Sequence, residues 1–255
     1  MGRSRIGRWL TTFWFVLVGQ LYEIRMMWFW YVVQVSVTPL VLLLFFGFVL
    51  KQDDPNWLAY VISGNLTQAM TVSTMVSLGQ EIGSMKDHRV YEYYAALPVT
   101  KSAFVSALIT RAMVFALPSL AIVSGLGVAV FHLNLRFHPL IVPMAVLSAY
   151  ALAGVGAVIG FYSPNGRVAS LLTQFVTPLI LYLAPVYAPV ANLLQLLKWT
   201  SSAIPTSHIA LLFRQLLTGQ AGGQTWLSAA VVAGYAAASI WMVSTRLDWR
   251  AGGSS

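Results

Sequence analysis

Six uncharged runs, each long enough to cross a membrane, constrain this chain more than any other feature. A helix needs about 20 apolar residues to cross about 30 Å of hydrocarbon, where it must satisfy its own backbone hydrogen bonds. Only 9% of the 255 residues are charged and 58% are hydrophobic, which excludes a water-soluble enzyme. We therefore predict an all-α integral membrane protein with six transmembrane helices, at about residues 28–50, 57–79, 103–131, 140–162, 168–188 and 225–245.

The distribution of basic residues between the loops predicts the orientation. An even number of spans places both termini on one side, and the side richer in Lys and Arg is cytoplasmic. The side of the termini has Arg3, Arg5, Arg8, Arg25, Lys86, Arg89, Lys101, Arg167, Arg246 and Arg250, and the other side has Lys51, Arg136, Lys198 and Arg214. Both termini are thus predicted to be cytoplasmic. The net charge of +8 reflects topology, because these residues do not cluster on one face as in a nucleic-acid binder.

Three segments outside the spans have a composition of their own. Residues 5–26 mix aromatic and polar side chains, which predicts a helix lying in the cytoplasmic interface. The inner loop, residues 84–101, carries three tyrosines among acidic and basic residues. The outer segment, residues 189–219, contains a stretch with apolar residues at helical spacing, Pro205–Leu217, that is too short to span. We predict that it re-enters the outer leaflet.

Several kinds of chemistry are missing from the sequence. None of the four lysines lies in a Gly-Lys-Ser/Thr sequence, so the chain is not expected to hydrolyse nucleotide by itself. No metal-binding or nucleophile motif is present, and there is no cysteine. All seven acidic residues lie outside the apolar runs, which argues against a proton-driven carrier. Arg111 lies about 15 Å along a helix from Lys101, and snorkelling to the inner surface is favoured over a place in a cavity.

Two local sequences and the order of the elements resemble one family. The inner stretch Asp87–Lys101, DHRVYEYYAALPVTK, has an Arg, a Glu and an apolar-Pro-Val turn before the third span. The outer stretch Ile204–Gly219, IPTSHIALLFRQLLTG, has a Pro-Thr segment followed by an Arg and a small-residue turn. Together they resemble the permease subunit of type 2 ABC exporters, which move drugs, antibiotics, polysaccharides and lipids. Val90 and Tyr91 stand where that family often has Gly-Thr.

The resemblance implies that the inner loop docks on a separate ATP-binding subunit. A permease without nucleotide chemistry must receive force through a surface element, and mixed aromatic and charged side chains suit docking into a groove. The alternative is a solvated loop whose tyrosines anchor the membrane, but three tyrosines within four positions favour coupling. The residues expected to take part are Asp87, Arg89, Tyr91, Glu92, Tyr93, Tyr94 and Leu97.

Polar side chains in the second and fifth spans are candidates for a substrate pathway. Such groups must face other helices or a wet cavity, and helix packing explains the Ser and Thr residues equally well. Amides are costlier to bury and favour function. The candidates are Asn65, Gln68, Thr71, Thr74, Thr173, Gln174 and Thr177. An outer gate is predicted at Pro178, Pro185 and Arg214, since prolines bend the fifth span, although kinks for packing are equally common.

Taken as one permease domain over residues 1–255, the chain is predicted to export an amphipathic substrate, drug-like, lipid or glycan, across the cytoplasmic membrane of a prokaryote. The resemblance implies two copies of an ATP-binding subunit, a second permease chain, identical or homologous, and the lipid bilayer as partners, with no nucleic acid. No catalytic residue, metal or cofactor is expected in this chain; ATP and magnesium belong to the partner subunit. The alternative is a stand-alone six-span carrier or channel driven by a gradient, disfavoured by the missing membrane carboxylate and the missing internal repeat.

Overall fold

The computed structural model describes residues 5–24, 28–49, 57–88, 90, 93–94, 99–131, 138–184, 186–187, 199 and 201–246, and it contains no strand within them. The α-helices are α1 (Arg5–Ile24), α2 (Trp28–Leu44), α3 (Trp57–Met70), α4 (Ser77–Asp87), α5 (Lys101–Phe131), α6 (Ile141–Tyr162), α7 (Gly166–Tyr182), α8 (Pro205–Leu217) and α9 (Gly223–Arg246). Two π-helical segments, Phe45–Val49 and Thr71–Val76, follow α2 and α3. The prediction of an all-α chain is confirmed for the described residues.

Three helices are long and apolar enough to cross a membrane in the part of the chain that the structure describes. They contain the stretches Ser102–Ala129, Ile141–Tyr162 and Gly223–Val243. A shorter apolar stretch, Ser36–Phe48, belongs to α2 and the π-helical segment after it. The number of six spans and the cytoplasmic placement of the termini stay predictions.

The second predicted span continues well beyond its apolar run. The backbone stays helical from α3 through the π-helical turn Thr71–Val76 into α4, because Met70, Val76 and Ser77 all have right-handed helical dihedral angles. The helix ends at Asp87, eight residues after the run ends at Gly79. This extension carries Glu81 into the helical bundle, which the hydropathy pattern does not indicate.

Small residues set the crossing of α4 and α6. Gly79 and Gly83 lie four residues apart on α4, as Gly156 and Gly160 do on α6. A Cβ on Gly160 would lie 2.8 Å from the carbonyl oxygen of Gly79, and a Cβ on Gly79 would lie 2.9 Å from that of Gly156. Paired small residues at this spacing let two membrane helices approach to backbone contact. The two helices therefore meet with no space for a side chain between them.

Two amphipathic helices pack against other parts of the bundle. The first, α1, buries Val16 and Leu17 against α5 and leaves Trp14 and Phe15 exposed, as an interfacial helix requires. The second, α8, packs its buried apolar face against α3 and α9. Below, the end of the bundle at which α4 stops is called the Asp87 end, and the opposite end, which holds α8, is called the Arg214 end.

Candidate functional site

The polar side chains of the second span are buried within this single chain. The Thr71 and Thr74 hydroxyls each donate to the carbonyl oxygen four residues earlier, at 2.8 and 2.6 Å. The Asn65 amide nitrogen does the same to Val61 at 2.8 Å, whereas its amide oxygen has no partner among the described residues. The hydroxyls are thus satisfied by their own helix, which is how Ser and Thr are tolerated in hydrocarbon.

The fifth span divides its polar candidates between two faces. Thr173 is fully buried, and its hydroxyl accepts a hydrogen bond of 3.3 Å from the Gln80 amide on α4. Thr177 donates to the Thr173 carbonyl oxygen at 2.6 Å. Gln174, in contrast, is exposed on a face of α7 that also carries exposed Leu171 and Phe175. The structure therefore brings Thr173, but not Gln174, to the second span.

A charged network lies near the Asp87 end, and it corrects the interpretation of Arg111. The Arg111 side chain is buried and forms an ion pair with Glu81. It also donates to the Gln20 amide oxygen on α1 at 2.5 Å. The sequence favours snorkelling to the inner surface, but the continued helix places Glu81 beside α5 and so supplies a partner within the bundle. A buried guanidinium with a carboxylate and an amide as partners has no need to reach water.

The same glutamine connects this network to the inner loop. The Gln20 amide nitrogen donates to the Tyr94 hydroxyl at 3.3 Å, and the Tyr94 ring centroid lies 4.6 Å from that of Phe104 on α5. The adjacent Tyr93 is 63% exposed. Asp87 accepts a hydrogen bond from the backbone amide of Gly166. The other residues predicted for coupling, Arg89, Tyr91, Glu92 and Leu97, lie outside the described residues.

A second cluster lies at the Arg214 end of the same helix. The Arg214 guanidinium carbon lies 3.5 Å from the centroid of the Tyr60 ring, and its Nε donates to the Ser63 hydroxyl at 3.3 Å. The Tyr187 hydroxyl donates to the Gln68 amide oxygen. No carboxylate contacts Arg214 in the part of the chain that the structure describes. Its charge is therefore balanced by an aromatic face and neutral oxygens.

Close packing fixes the Tyr187 ring in this cluster. The ring stacks on Phe46 with centroids 5.0 Å apart, and a Cβ on Gly64 would lie 2.6 Å from it. Sequence reasoning did not find Tyr60 or Tyr187, although Tyr60, Gly64 and Gln68 share one helical face at intervals of four residues. Pro178 is exposed within α7, and Pro185 lies outside the described residues.

The comparison with known families decides what kind of protein carries these clusters. Residues 50–244 match the sequence model of the family described as ABC-2 family transporter protein. The chain belongs to the ABC-2 transporter family. The predicted resemblance to a type 2 ABC permease is therefore confirmed, and the transporter is a membrane transport component. No curated protein matches the chain.

The matched region of the transporter contains most of both clusters. It begins before α3 and ends within α9, so it includes Glu81, Arg111 and Tyr94 at one end and Arg214 at the other. Gln20, which connects Arg111 to Tyr94, precedes it. The continuous helix Trp57–Asp87 of the transporter therefore has a charged contact near one end, a hydrogen-bonded aromatic contact near the other, and buried polar side chains between them.

Proposed function

We propose that this transporter is the membrane-spanning subunit of an ATP-driven exporter. Two copies of a separate subunit bind and hydrolyse ATP with magnesium, and two permease chains, identical or homologous, form the path. Each chain has six spans and cytoplasmic termini, in the cytoplasmic membrane of a prokaryote, and the substrate is an amphipathic drug-like molecule, lipid or glycan. The observation that carries the proposal is the difference between two adjacent tyrosines in the inner loop, here named the coupling segment (residues 84–101): Tyr94 contacts the bundle, whereas Tyr93 is exposed.

Tyr94 attaches the coupling segment to the bundle, and the exposed ring of Tyr93 is available to contact a partner. The contacts of Tyr94 with Phe104 and Gln20 attach the segment to α5 and α1. The exposed Tyr93 ring lies against that of Tyr94, with centroids 5.4 Å apart. An exposed aromatic residue on a fixed support is a typical anchor in a protein interface. Force applied at Tyr93 is therefore delivered through Tyr94 to the bundle.

The gradient-driven alternative needs a membrane carboxylate that gains and loses a proton. Glu81 lies deeper in the bundle than the sequence indicates, which removes one argument against that alternative. Its carboxylate is nevertheless held in an ion pair with Arg111, so it already has a charged partner inside the bundle. Membership of the ABC-2 family supports ATP-driven export more directly.

The cluster at the Arg214 end fits a closed outer gate. Substrate leaving past the polar side chains Asn65, Gln68, Thr71 and Thr74 meets the Tyr187 ring towards the Arg214 end. We propose that Arg214 and Tyr187 separate from the second span when the path opens. Pro178 lies within α7, where a proline can bend the helix, so that the chain near Tyr187 moves with it. The exposed face of α7 with Gln174 then faces the second permease chain.

Changing the coupling segment is expected to release the ATP-binding subunit without unfolding the permease. In Tyr93→Ala, and in the combined Tyr91→Ala, Glu92→Lys variant, association should weaken about thirtyfold, because a buried interface anchor contributes about 2 kcal/mol or more. The measurement is co-purification of the ATP-binding subunit over a range of concentrations, with export measured in parallel.

Tyr162→Ala is the matched control for this change. Tyr162 is a half-exposed tyrosine at the same end of the bundle, outside the coupling segment. It should retain the ATP-binding subunit as the wild type does. Undiminished co-purification and normal export in the Tyr93 and Tyr91/Glu92 variants would contradict the proposed coupling.

Weakening the cluster at the Arg214 end is expected to make the polar side chains of the second span accessible to a reagent added from outside. The chain has no native cysteine, so a cysteine at Thr71 is the single site for an impermeant thiol reagent. Labelling at Thr71→Cys should rise about fivefold when Tyr187→Phe removes the bond to Gln68, because a hydrogen bond contributes about 1 kcal/mol. Tyr235→Phe removes a comparable hydroxyl contact, to the Ala203 carbonyl oxygen, at the same end. Equal labelling in the two tyrosine variants would exclude Tyr187 from the gate.

A further inference from the structure

Lys86 and Asp87, the last two residues of α4, both contact the turn that joins α6 to α7. The rest of the coupling segment continues the chain directly from this point. We propose that this pair, named the clasp, transmits movement of the coupling segment to α6 and α7. The proposal rests on the proposed function, and it makes Lys86 and Asp87 positioning residues. Asp87 then serves a contact within the chain and not with the ATP-binding subunit.

The Lys86 ammonium holds the end of α6. Its Nζ donates to the carbonyl oxygens of Phe161 and Ser163, at 2.6 and 2.5 Å. The last carbonyls of a helix lack partners within it and carry the negative end of the helix dipole. Burial lowers the pKa of Lys86, and carbonyl oxygens at these distances favour the charged form that burial disfavours. The Lys86 cation thus lies at the C-terminal end of α6, where unpaired carbonyl oxygens and the helix dipole favour a positive charge.

The Asp87 carboxylate holds the beginning of α7. Its Oδ2 accepts a hydrogen bond of 3.0 Å from the backbone amide of Gly166, the first residue of that helix. The Asn165 side chain, at the N-cap, accepts a second one from Val168 at 2.9 Å. Backbone N–H groups are unpaired at this end, and the helix dipole favours an anion there. The order Lys86 then Asp87 therefore matches the order of the two helix ends that they contact.

Beside the clasp, the backbones of α4 and of the α6–α7 turn are in direct contact. A Cβ on Gly83 would lie 3.0 Å from the Cα of Gly166, and a Cβ on Gly166 would lie 3.1 Å from the backbone nitrogen of Ser84. Elements packed this closely move together, because a packed interface shifts between discrete arrangements and does not deform continuously. The end of α4 and the α6–α7 turn consequently form one body.

The first test needs only the purified permease. Exchanging the two charges, Lys86→Asp with Asp87→Lys, keeps composition and net charge but places each charge at the wrong helix end. Hydrogen exchange of the Gly166 amide should become about tenfold faster, because a hydrogen bond to a charged group shifts an opening equilibrium by about that factor. Lys86→Arg retains the cation and should exchange as the wild type does. Unchanged exchange in the charge-exchanged variant would overturn the proposal.

The second test uses the complex with the ATP-binding subunit. Single cysteines replace Pro139, in the turn just before α6 and far from the clasp, and Ala129, near the far end of α5. The helix α5 follows the coupling segment directly, beginning at Lys101. Thiol labelling is measured with and without ATP. In the charge-exchanged variant, the ATP-dependent change in labelling at position 139 should fall about fivefold, because a favourable charge–dipole contact shifts an equilibrium by about that factor. The ATP-dependent change in labelling at position 129 should persist.

The outcomes separate the clasp from the proposed function. A general structural defect would reduce the ATP-dependent change at Ala129 as well as at Pro139, and this result would contradict a positioning role. An undiminished change at Pro139 would overturn the clasp and leave the coupling segment in place. If ATP changed labelling at neither position in the permease with its native Lys86 and Asp87, the proposed function would be contradicted. Hydrogen exchange of the Gly166 amide would still show whether the contacts of the clasp exist.

Discussion

Replacing Arg111 by Met is expected to lower the free energy of unfolding by about 3–5 kcal/mol, the loss typical of breaking a buried ion pair from one side. The Glu81 carboxylate would remain in the bundle without its cation, and Gln20 would lose its charged donor. Methionine keeps most of the volume and the apolar stem of arginine, so the effect isolates the guanidinium. The measurement is reversible unfolding of the purified permease in mixed micelles.

A control variant and a double variant test whether the loss of stability comes from the ion pair with Glu81. Arg167→Met removes an exposed arginine at the same end of the bundle, and the free energy of unfolding should change by no more than about 0.5 kcal/mol. Combining Arg111→Met with Glu81→Gln removes both charges, and the double variant should recover part of the loss, since the two residues interact directly. If Arg111→Met were as stable as Arg167→Met, the ion pair with Glu81 would contribute nothing.

Replacing Gly160 by Leu is expected to destabilise the transporter by about 3 kcal/mol, the upper range for overpacking. The new side chain would begin 2.8 Å from the Gly79 carbonyl oxygen and 2.7 Å from the Ile82 Cβ, so α4 and α6 must separate. Separation would also disturb the α6–α7 turn beyond Gly160. Thermal unfolding of the purified permease, read together with cysteine labelling at Thr71, measures both effects.

Gly125→Leu is the matched control for that substitution. Gly125 is also a helical glycine, on α5, and a Cβ there would meet no atom within 4 Å. Its replacement should change stability by no more than about 0.5 kcal/mol, as for other surface positions. Similar losses at Gly125 and Gly160 would show that a general intolerance of leucine in these helices, and not the crossing of α4 and α6, causes the effect.

Hydropathy predicts the helical elements well because each long helix must be apolar by itself. The stretches found in α5, α6 and α9 coincide closely with three of the predicted spans. Hydropathy predicts the end of the second span poorly, because charged residues such as Glu81 and Lys86 indicate a loop when their partners are not known. Those partners, Arg111 and the end of α6, are distant in sequence. A hydropathy window averages over neighbours along the chain and contains no information about such pairs.

Candidate polar residues in the second span were found by composition, and the structure adds which of them have partners in space. Thr71 and Thr74 are satisfied by their own helix, a pattern that spacing alone permits but does not require. The contact between Gln68 and Tyr187 joins residues 119 positions apart. Tyr187 lies near the end of the fifth predicted span, residues 168–188, and has no distinguishing neighbour pattern, so only its place in the fold identifies it.

The π-helical turn Thr71–Val76 sets the rotation of Ser77–Asp87 relative to Trp57–Met70. A π-helical turn holds about one residue more than an α-helical turn, and such turns occur frequently at functional sites. If its hydrogen bonds returned to the α-helical pattern, the lower half, Ser77–Asp87, would rotate by about 100° and shift by about 1.5 Å relative to Trp57–Met70. That rotation would take Glu81 from Arg111, and Lys86 and Asp87 from the α6–α7 turn, while Gln68 kept its position beside Tyr187. The extra residue in this turn is therefore what lets one continuous helix reach its partners at both ends.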